Sequence, residues 1–375
     1  SLNFIASNVE RMTRNTRHFE IPAETGRTEV DREVIARTLI GLMNNANVGG
    51  IVLLAVKSGA GSAYKNMCAE RFEEEARKTG KPFRIVYLTN VGGSYNMLGE
   101  TLRLTREVLL EVSDFRRENC PLSALTLGVK CGTSDATSGI AGNPCVGAAF
   151  DQLIRAGGTA FFSETTEIIG AEDLVAKRAV NESVAKKILS AARHWEDKAK
   201  ATGEDIRKIN PIPANIAAGI SSLEEKSLGA IAKSGTSPIQ DVLKYAEMPK
   251  GSGLYFVDSW MSSLSLPLCL TACGATIMLY QMGGGKIAQH PMMPSINPTV
   301  VSPFLYLTGN AIAYSRAPDN FDFDASPIMT EGASIPEMGT KLLEHLSAIA
   351  SGTMTKMETL NYAEQLELYM EGPVL

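Results

Sequence analysis

Short apolar runs alternate with amphipathic segments along most of this chain, and no other feature constrains its fold so tightly. Asp31 to Asn44 has helical periodicity, Gly50 to Val56 is a continuous apolar run of strand length, and Ala69 to Thr79 is helical up to the breaker Gly80. Phe83 to Leu88 repeats the apolar run, and Leu98 to Phe115 repeats the helix. Strands that are apolar throughout are buried on both faces, and strands separated by helices pair in parallel. The pattern therefore predicts an α/β fold of parallel-sheet units flanked by helices.

A second unit opens after Asn119-Cys120-Pro121. Its expected strand Ala124–Val129 leads into a small polar run, Cys131 to Gly139, and then into a helix from Pro144 to Ala156 that Gly157-Gly158 stops. Thr159–Ser163 resumes as a strand, followed by helices Ala171–Arg178 and Ser183–Thr202. Gly203 to Ser222 reads as a long ordered loop, a lid or a crossing between units. Leu254–Asp258 and Ala275–Gln281 are strands around a helix, and Ile335–Ala350 and Lys356–Leu368 are the last helices. With 375 residues the chain exceeds one ordinary core, so two Rossmann-like domains are expected, 1–118 and 119–375.

Composition narrows the function. Hydrophobic residues at 44% and charged residues at 21% fit a folded globular chain, and a net charge of −5 with no Lys/Arg stripe argues against nucleic-acid binding. The apolar stretch Leu264–Met282 is broken by Pro267 and Gly274, short of the ~20 apolar residues of a membrane helix. The first residues lack the pattern of a secretory leader, and the six cysteines form no C-x-x-C pair, so reduced thiols in a cytoplasm are expected. Four histidines, none paired at helical spacing, argue against a His-rich zinc site.

In open α/β sheets ligands bind beyond the carboxyl ends of the strands. That rule selects Cys131 to Asn143, where a thiol, the hydroxyl of Ser134, the carboxylate of Asp135, the amide of Asn143 and several glycines follow one strand. The competing reading is a polar loop with Asp135 or Asn143 as a helix cap. The next strand delivers Glu164 and Glu167, which suit a hard divalent ion or acid–base work, or else cap the following helix. Lys226, Lys233, Thr236 and Ser237 offer cations and hydroxyls to an anion; Asp258, Thr308, Asn310, Asp322 and Asp324 are further polar candidates that equally suit turns. Gly283-Gly284-Gly285-Lys286 lacks the spacing and the Ser/Thr of a phosphate loop, and Val91–Ser94 lacks a full dinucleotide-binding glycine pattern. Cys145, Cys269 and Cys273 stand in apolar surroundings as core fillers, whereas Cys131 ends a strand.

Three blocks, Cys131-GTSDATSGIAGNPCVG-Ala148, Glu164-TTEIIGAEDLVAKR-Ala179 and Leu223-EEKSLGAIAKSGTSP-Ile239, resemble the altronate/galactarate dehydratase family, in family order. With Asn47-VGGIVLL-Ala55 and the closing helices, the likeness covers nearly the whole chain. It implies metal-assisted β-elimination of water from a small hydroxy acid, with a divalent ion, Fe2+ before Mn2+ or Mg2+. By resemblance Cys131, Asp135 and Glu164 are the expected metal-proximal residues. The expected catalytic residues are Asp135, Glu164 and Lys226, and the substrate-binding residues Arg27, Ser134, Asn143, Lys233, Thr236 and Ser237. A small SAF-type partner subunit is also implied, and a homo-oligomer is expected on general grounds, since most soluble oligomers are symmetric.

The chain departs from the family pattern where a His-rich segment is usual, having Ile21-PAETG-Arg27, and where Gly-Cys-Glu is usual, having Lys57-Ser58-Gly59. It departs again at Gly283–Lys286, in place of a Gly-Arg-Gly loop. Nothing before Phe4 matches the family's first strand, so either a shortened N-terminus or a differently built first sheet is expected. The sulfolactate sulfo-lyase large subunit is similar in Gly26-Arg27 and in Glu118-Asn-Cys-Pro-Leu-Ser123, and would expel sulfite, with Arg27 and Lys286 beside the sulfonate. A catalytically degenerate structural subunit is the alternative of another class.

Overall fold

The computed structural model describes residues 2–19, 26–56, 65–284, 297–360 and 367–372. It divides into two compact units. One comprises Ser1–Asn119 with Ala272–Gly274 and Gln365–Leu375, the other Cys120–Thr271 with Ala275–Glu364.

In the first unit the two expected apolar runs form strands β1 (Ile51–Ala55) and β2 (Phe83–Tyr87), paired in parallel with Ile51 opposite Phe83. Helices Glu29–Asn44, Ala69–Lys78 and Ser94–Ser113 surround them, close to the predicted spans. A fourth helix, Leu2–Met12, has no counterpart among the expected elements; Ile5 and Val9 on its buried face pack with Val86 and Met97. Thr28 caps Glu29–Asn44 by accepting from the Asp31 amide at 3.2 Å, and Lys81 closes its other end by donating to the carbonyls of Met43 and Asn45.

The second unit is built on a seven-stranded sheet, all parallel, in the order β5-β6-β4-β3-β7-β8-β9. Its strands are β3 (Thr126–Gly132), β4 (Thr159–Phe162), β5 (Ile239–Leu243), β6 (Gly253–Val257), β7 (Ile277–Met282), β8 (Phe304–Thr308) and β9 (Phe323–Asp324). From β3 the chain adds β4 beside it, crosses to the edge as β5 and returns to insert β6 between β5 and β4, then passes to the other side of β3 and continues through β7, β8 and β9. The order reverses between β3 and β7, which makes the carboxyl end of β3 the topological switch point where such sheets open a crevice.

Residues of β4, β6, β7 and β8 are buried from end to end, which explains their largely apolar sequences, with Gln281 of β7 and the terminal Thr159 and Thr308 as the polar exceptions. Sequence patterning identifies β3, β4, β6 and β7 but not β5, β8 or β9. Strand β5 is an edge strand whose centre, Gln240-Asp241, is polar, and β9 is a two-residue edge. The core is formed by Leu127 and Val129 of β3, Phe150 and Leu153 of helix Asn143–Arg155, and Leu342 and Leu346 of helix Ile335–Ala350. The two helices touch at Gly339, where a Cβ would stand 2.5 Å from that of Ala148. Gly203–Ser222 is not a plain loop: it carries short helices Ile206–Ile209 and Pro213–Ala217. The expected helix Lys356–Leu368 is also corrected. Its described start makes only a 3-10 turn, Glu358–Leu360, with Thr355 and Glu358 bonding each other's backbone, and residues 361–366 lie outside the described residues. Among the described residues no helix is long and apolar enough to cross a membrane.

Helix Asn143–Arg155 also presses on the turn Ala232–Ser234. A Cβ on Gly147 would lie 2.2 Å from the Ala232 carbonyl oxygen and 2.8 Å from the Gly235 nitrogen, both backbone atoms that cannot rotate away. Gly147→Ala is therefore expected to lower unfolding stability by about 1–3 kcal/mol, the usual range for overpacking, in a urea titration followed by circular dichroism.

Candidate active site

Neighbouring parallel strands place equivalent positions side by side. Thr126 of β3 pairs with Thr159 of β4, an offset that carries forward to set Cys131 beside Glu164 at the carboxyl ends of the two strands. The Cys131 amide donates to Glu164 Oε2 at 3.1 Å, and the thiol lies 3.3 Å from the same oxygen. Lys233, from the turn Ala232–Ser234, ion-pairs with Glu164 Oε2 and reaches Cys131 Sγ at 3.0 Å. Lys130 approaches Glu164 Oε1 at 3.6 Å, donates to the Cys131 carbonyl at 2.5 Å and stands 4.9 Å from the ring centre of Tyr280, its neighbour on β7. Lys130, Cys131, Glu164 and Lys233 are each no more than 5% exposed.

Glu164 occupies the left-handed region, φ 73° and ψ 65°, an uncommon place for a non-glycine residue and one that costs on the order of 1 kcal/mol or more. The following residue fixes it there: the Thr165 amide donates to the Ser259 carbonyl at 2.9 Å and its hydroxyl to Asp258 at 2.7 Å. The turn with Lys233 is held equally firmly. Arg178 donates to the hydroxyl and carbonyl of Ser234 and to the Ser237 carbonyl, and Asp151 accepts from the amides and hydroxyls of Thr236 and Ser237 at 2.6–2.9 Å.

Charge compensation sets the protonation states. Burial alone would drive the Glu164 carboxyl upward, but the ammonium groups of Lys233 and Lys130 outweigh it and hold it below the ordinary glutamate range. Burial likewise opposes both charged lysines. Tyr280 and Glu164 outweigh it for Lys130, and Cys131 and Glu164 for Lys233, so both titrate above the ordinary lysine range. The Cys131 thiol is pushed up to about 12, first by burial and then by the Glu164 carboxylate, against the pull of Lys233.

A cavity of about 310 Å³ opens over this cluster. Lys130 and the segment Cys131–Ser134 form its floor, Glu167 and Lys226 one side, and Ile212, Ala214 and Met261 an apolar wall. Lys226, buried on helix Leu223–Ile231, donates to Glu167 Oε1 at 2.9 Å and to Asn210 Oδ1 at 2.6 Å. Asn215 ties the Pro213–Ala217 helix to the floor by donating to the Ser134 carbonyl at 2.9 Å.

Of the residues selected from sequence, Cys131, Ser134 and Lys226 line the cavity, while Glu164 and Lys233 lie in the charge cluster at its floor. Asp135 is engaged elsewhere. It accepts from Thr137 and from the amide and hydroxyl of Ser138 on one oxygen, and from the Gly284 amide and Asn310 on the other. It latches the loop to the start of the π-helical turn Ser138–Gly142. Thr236 and Ser237 bind Asp151, and Asn143 donates to the Gly229 carbonyl at 2.8 Å. Arg27 belongs to the first unit, and Lys286 lies outside the described residues. Asp324 accepts from the Ser326 amide two residues on, as a turn residue does, whereas Asp258 and Asp322 accept from donors distant in sequence, Thr165 and Trp195 for the first and the amides of Tyr306 and Lys356 for the second. Sequence reasoning misses Lys130, Asn210 and Asn215 and gives Glu167 no distinct role. A charge inside an otherwise apolar strand is the available signal for Lys130; the two asparagines carry none.

For the expected divalent ion, the donor set decides. A hard ion needs several oxygen or nitrogen ligands turned to one point. Here Glu164 faces two ammonium groups, Asp135 is bound by five donors, and among the described residues no three His, Cys, Asp or Glu side chains converge. The described residues do not fit such an ion at this place.

A parallel sheet with a lysine-lined cavity at its switch point has the architecture of an α/β enzyme. Residues 122–373 match the family described as D-galactarate/altronate dehydratase, C-terminal, and residues 3–113 match the D-galactarate dehydratase/altronate hydrolase second domain. The chain is 31% identical to (2R)-sulfolactate sulfo-lyase subunit beta of Chromohalobacter salexigens, over 92% of this chain and 85% of that one. It is 34% identical to galactarate dehydratase (L-threo-forming) of Escherichia coli, over 75% of this chain and 52% of the other. With altronate dehydratase of Bacillus subtilis the identity is 30%, over 92% and 65%. The chain belongs to the D-galactarate/altronate dehydratase family of lyases, and it spans about half to two thirds of those two dehydratases.

Two outcomes are expected of the cluster. Removing one partner of a buried ion pair leaves an uncompensated charge, so Lys233→Met should cost about 3–5 kcal/mol in a denaturant titration. Because the Glu164 carboxyl is held low in the folded chain, its stabilisation is complete above the ordinary glutamate range and is lost as pH falls through the depressed value; the stability gap between wild type and Glu164→Gln should close on acidification. Separately, iodoacetamide at pH 8 should label exposed Cys120 and leave Cys131 and Cys145, both pushed up to about 12, unmodified in peptide mass spectra.

Proposed function

We propose that this chain catalyses β-elimination of water from a small hydroxy acid bound in the cavity at the end of β3. The observation that carries the proposal is the pair of buried ammonium groups, Lys130 and Lys226, facing one small space beside a single lining carboxylate, Glu167. With Lys233 and Glu164 beside them, three lysines stand against two glutamates and leave one excess positive charge, which favours an anion, and the volume of about 310 Å³ suits a compact acid.

The reaction requires the α-hydrogen of a hydroxy acid to leave as a proton while the β-substituent departs with the bonding electrons. A carboxylate held by an ammonium group makes the α-hydrogen more acidic, because the enolate-like charge that develops in the transition state is delivered to that same group. Lys130 is suited to this role. Its position is set by β3 and by the Tyr280 ring, and Glu164 balances its charge from below without itself lining the cavity. Hydroxyls of Thr133 and Ser134 and the Asn215 amide are the polar groups along the floor for the substrate's own hydroxyls.

A second reading has its own support: this chain covers 85% of the sulfolactate sulfo-lyase subunit, more than of either dehydratase. Under it the same cavity holds a sulfonate and sulfite is expelled. That relative is named a subunit, and assembly with a small partner chain belongs to the reading.

The test is product analysis of the anaerobically purified protein, with and without a small partner chain and with ferrous iron or a chelator, on galactarate, altronate and (2R)-sulfolactate. A 2-keto-3-deoxy acid is expected. Sulfite with pyruvate would move the assignment to the second reading, and no product from any of the three would remove both.

A further inference from the structure

Glu164, the carboxylate that sequence reasoning favours, is poorly placed for proton transfer. Both its oxygens face lysines, one of them also takes the Cys131 amide, and its pairing holds it ionised. Glu167, three residues on in the same turn, differs on each count. Its Oε1 bonds Lys226 at 2.9 Å, while its Oε2 is buried without a hydrogen-bond partner among the described residues. Glu167 is 4% exposed and is the one carboxylate among the residues lining the cavity. A buried acceptor left without a donor is costly, more so when it is charged, and calls for a reason to be kept. Lys226 shows the complementary feature. Its ammonium has three N–H donors, and Glu167 and Asn210 take two of them.

We propose that Glu167 is the general base of the elimination and Lys226 its acid, an inference that rests on the function proposed above. Glu167 Oε2 first takes the α-proton, reversibly, and the C–H electron pair is held as an enolate on the substrate's carboxylate; that pair then forms the Cα=Cβ bond as the Cβ–O bond breaks, and the departing hydroxide takes a proton from the third N–H of Lys226, leaving as water. The enol product then tautomerises to the 2-keto acid. Glu167 is now a carboxylic acid and Lys226 an amine, and a half-turn of the carboxyl group brings the proton to Nζ across the existing contact. The pair returns to its starting state with no co-reactant. Asn210 acts as a positioning residue, holding the lysine through Oδ1 so that its remaining N–H meets the cavity.

The experiment follows steady-state turnover together with deuterium wash-in from D2O at the α-carbon of recovered substrate, using the full chain and whichever of galactarate, altronate and (2R)-sulfolactate wild type converts. Glu167→Gln keeps the bond to Lys226 and loses the base, so kcat should fall at least about 100-fold with little change in KM, and wash-in should vanish. Glu167→Asp should recover part of kcat. Lys226→Met should retain wash-in while losing product, because it removes the acid and spares the base, a split that a merely structural role would not produce. Wild-type kcat or persistent wash-in in Glu167→Gln overturns the assignment and leaves the proposed function standing. Should Glu167→Gln fail to fold, Glu167→Asp with unchanged kcat and wash-in overturns it equally. Wild type that neither converts nor exchanges any of the three acids overturns the function and the assignment together.

Discussion

The compensation of one buried carboxylate by two buried ammonium groups is the interaction on which the catalytic unit depends. Three charges removed from water are tolerable only when their geometry is fixed, and the fold fixes it from three directions. Parallel register sets Lys130 and Cys131 beside Glu164, the Thr165 bonds hold Glu164 in its unusual backbone conformation, and Arg178 with Asp151 pins the turn that supplies Lys233. The cluster carries an excess positive charge beside a cavity lined by both polar and apolar side chains. The positive charge is thereby held by buried groups and not by surface side chains.

That arrangement also separates two kinds of carboxylate that look alike in a sequence. Glu164 and Glu167 share a turn, yet one is consumed by charge balance and the other keeps a buried oxygen without a hydrogen-bond donor among the described residues. The same division runs through the polar loop. Asp135 is a latch for the π-helical turn, as the helix-cap alternative for that loop implied, while the neighbouring segment from Cys131 to Ser134 forms the cavity floor.

Much of the α/β plan was legible because it follows from burial. Strands covered on both faces must be apolar throughout, so β3, β4, β6 and β7 announced themselves, as did the helices between them. The edge strand β5 escaped because its Gln240-Asp241 centre faces weaker demands, and Leu2–Met12 escaped because its partners on β2 and helix Ser94–Ser113 are distant in sequence. The site was legible as a region, through the strand-end rule and the three family-like blocks, but not residue by residue. Which oxygen a carboxylate has left over depends on long-range donors such as Lys233, Lys226 and Asn310, and no local pattern encodes those distances. Lys130 was the exception that could have been read: a lysine within Thr126–Gly132 has no solvent to reach and must have a counter-charge.

The cavity's apolar wall comes from elements other than those that supply its charges. Ile212 and Ala214 belong to the segment between residues 203 and 222, and Met261 to the loop after β6, whereas Lys130, Glu167 and Lys226 are anchored in β3, the turn after β4 and helix Leu223–Ile231. Size and shape selection can thus drift by mutation at Ile212, Ala214 and Met261 while the proton-handling groups stay put. A single scaffold of this kind is evolvable: descendants can exchange one acid for another, and one leaving group for another, without rebuilding the electrostatics that make departure possible.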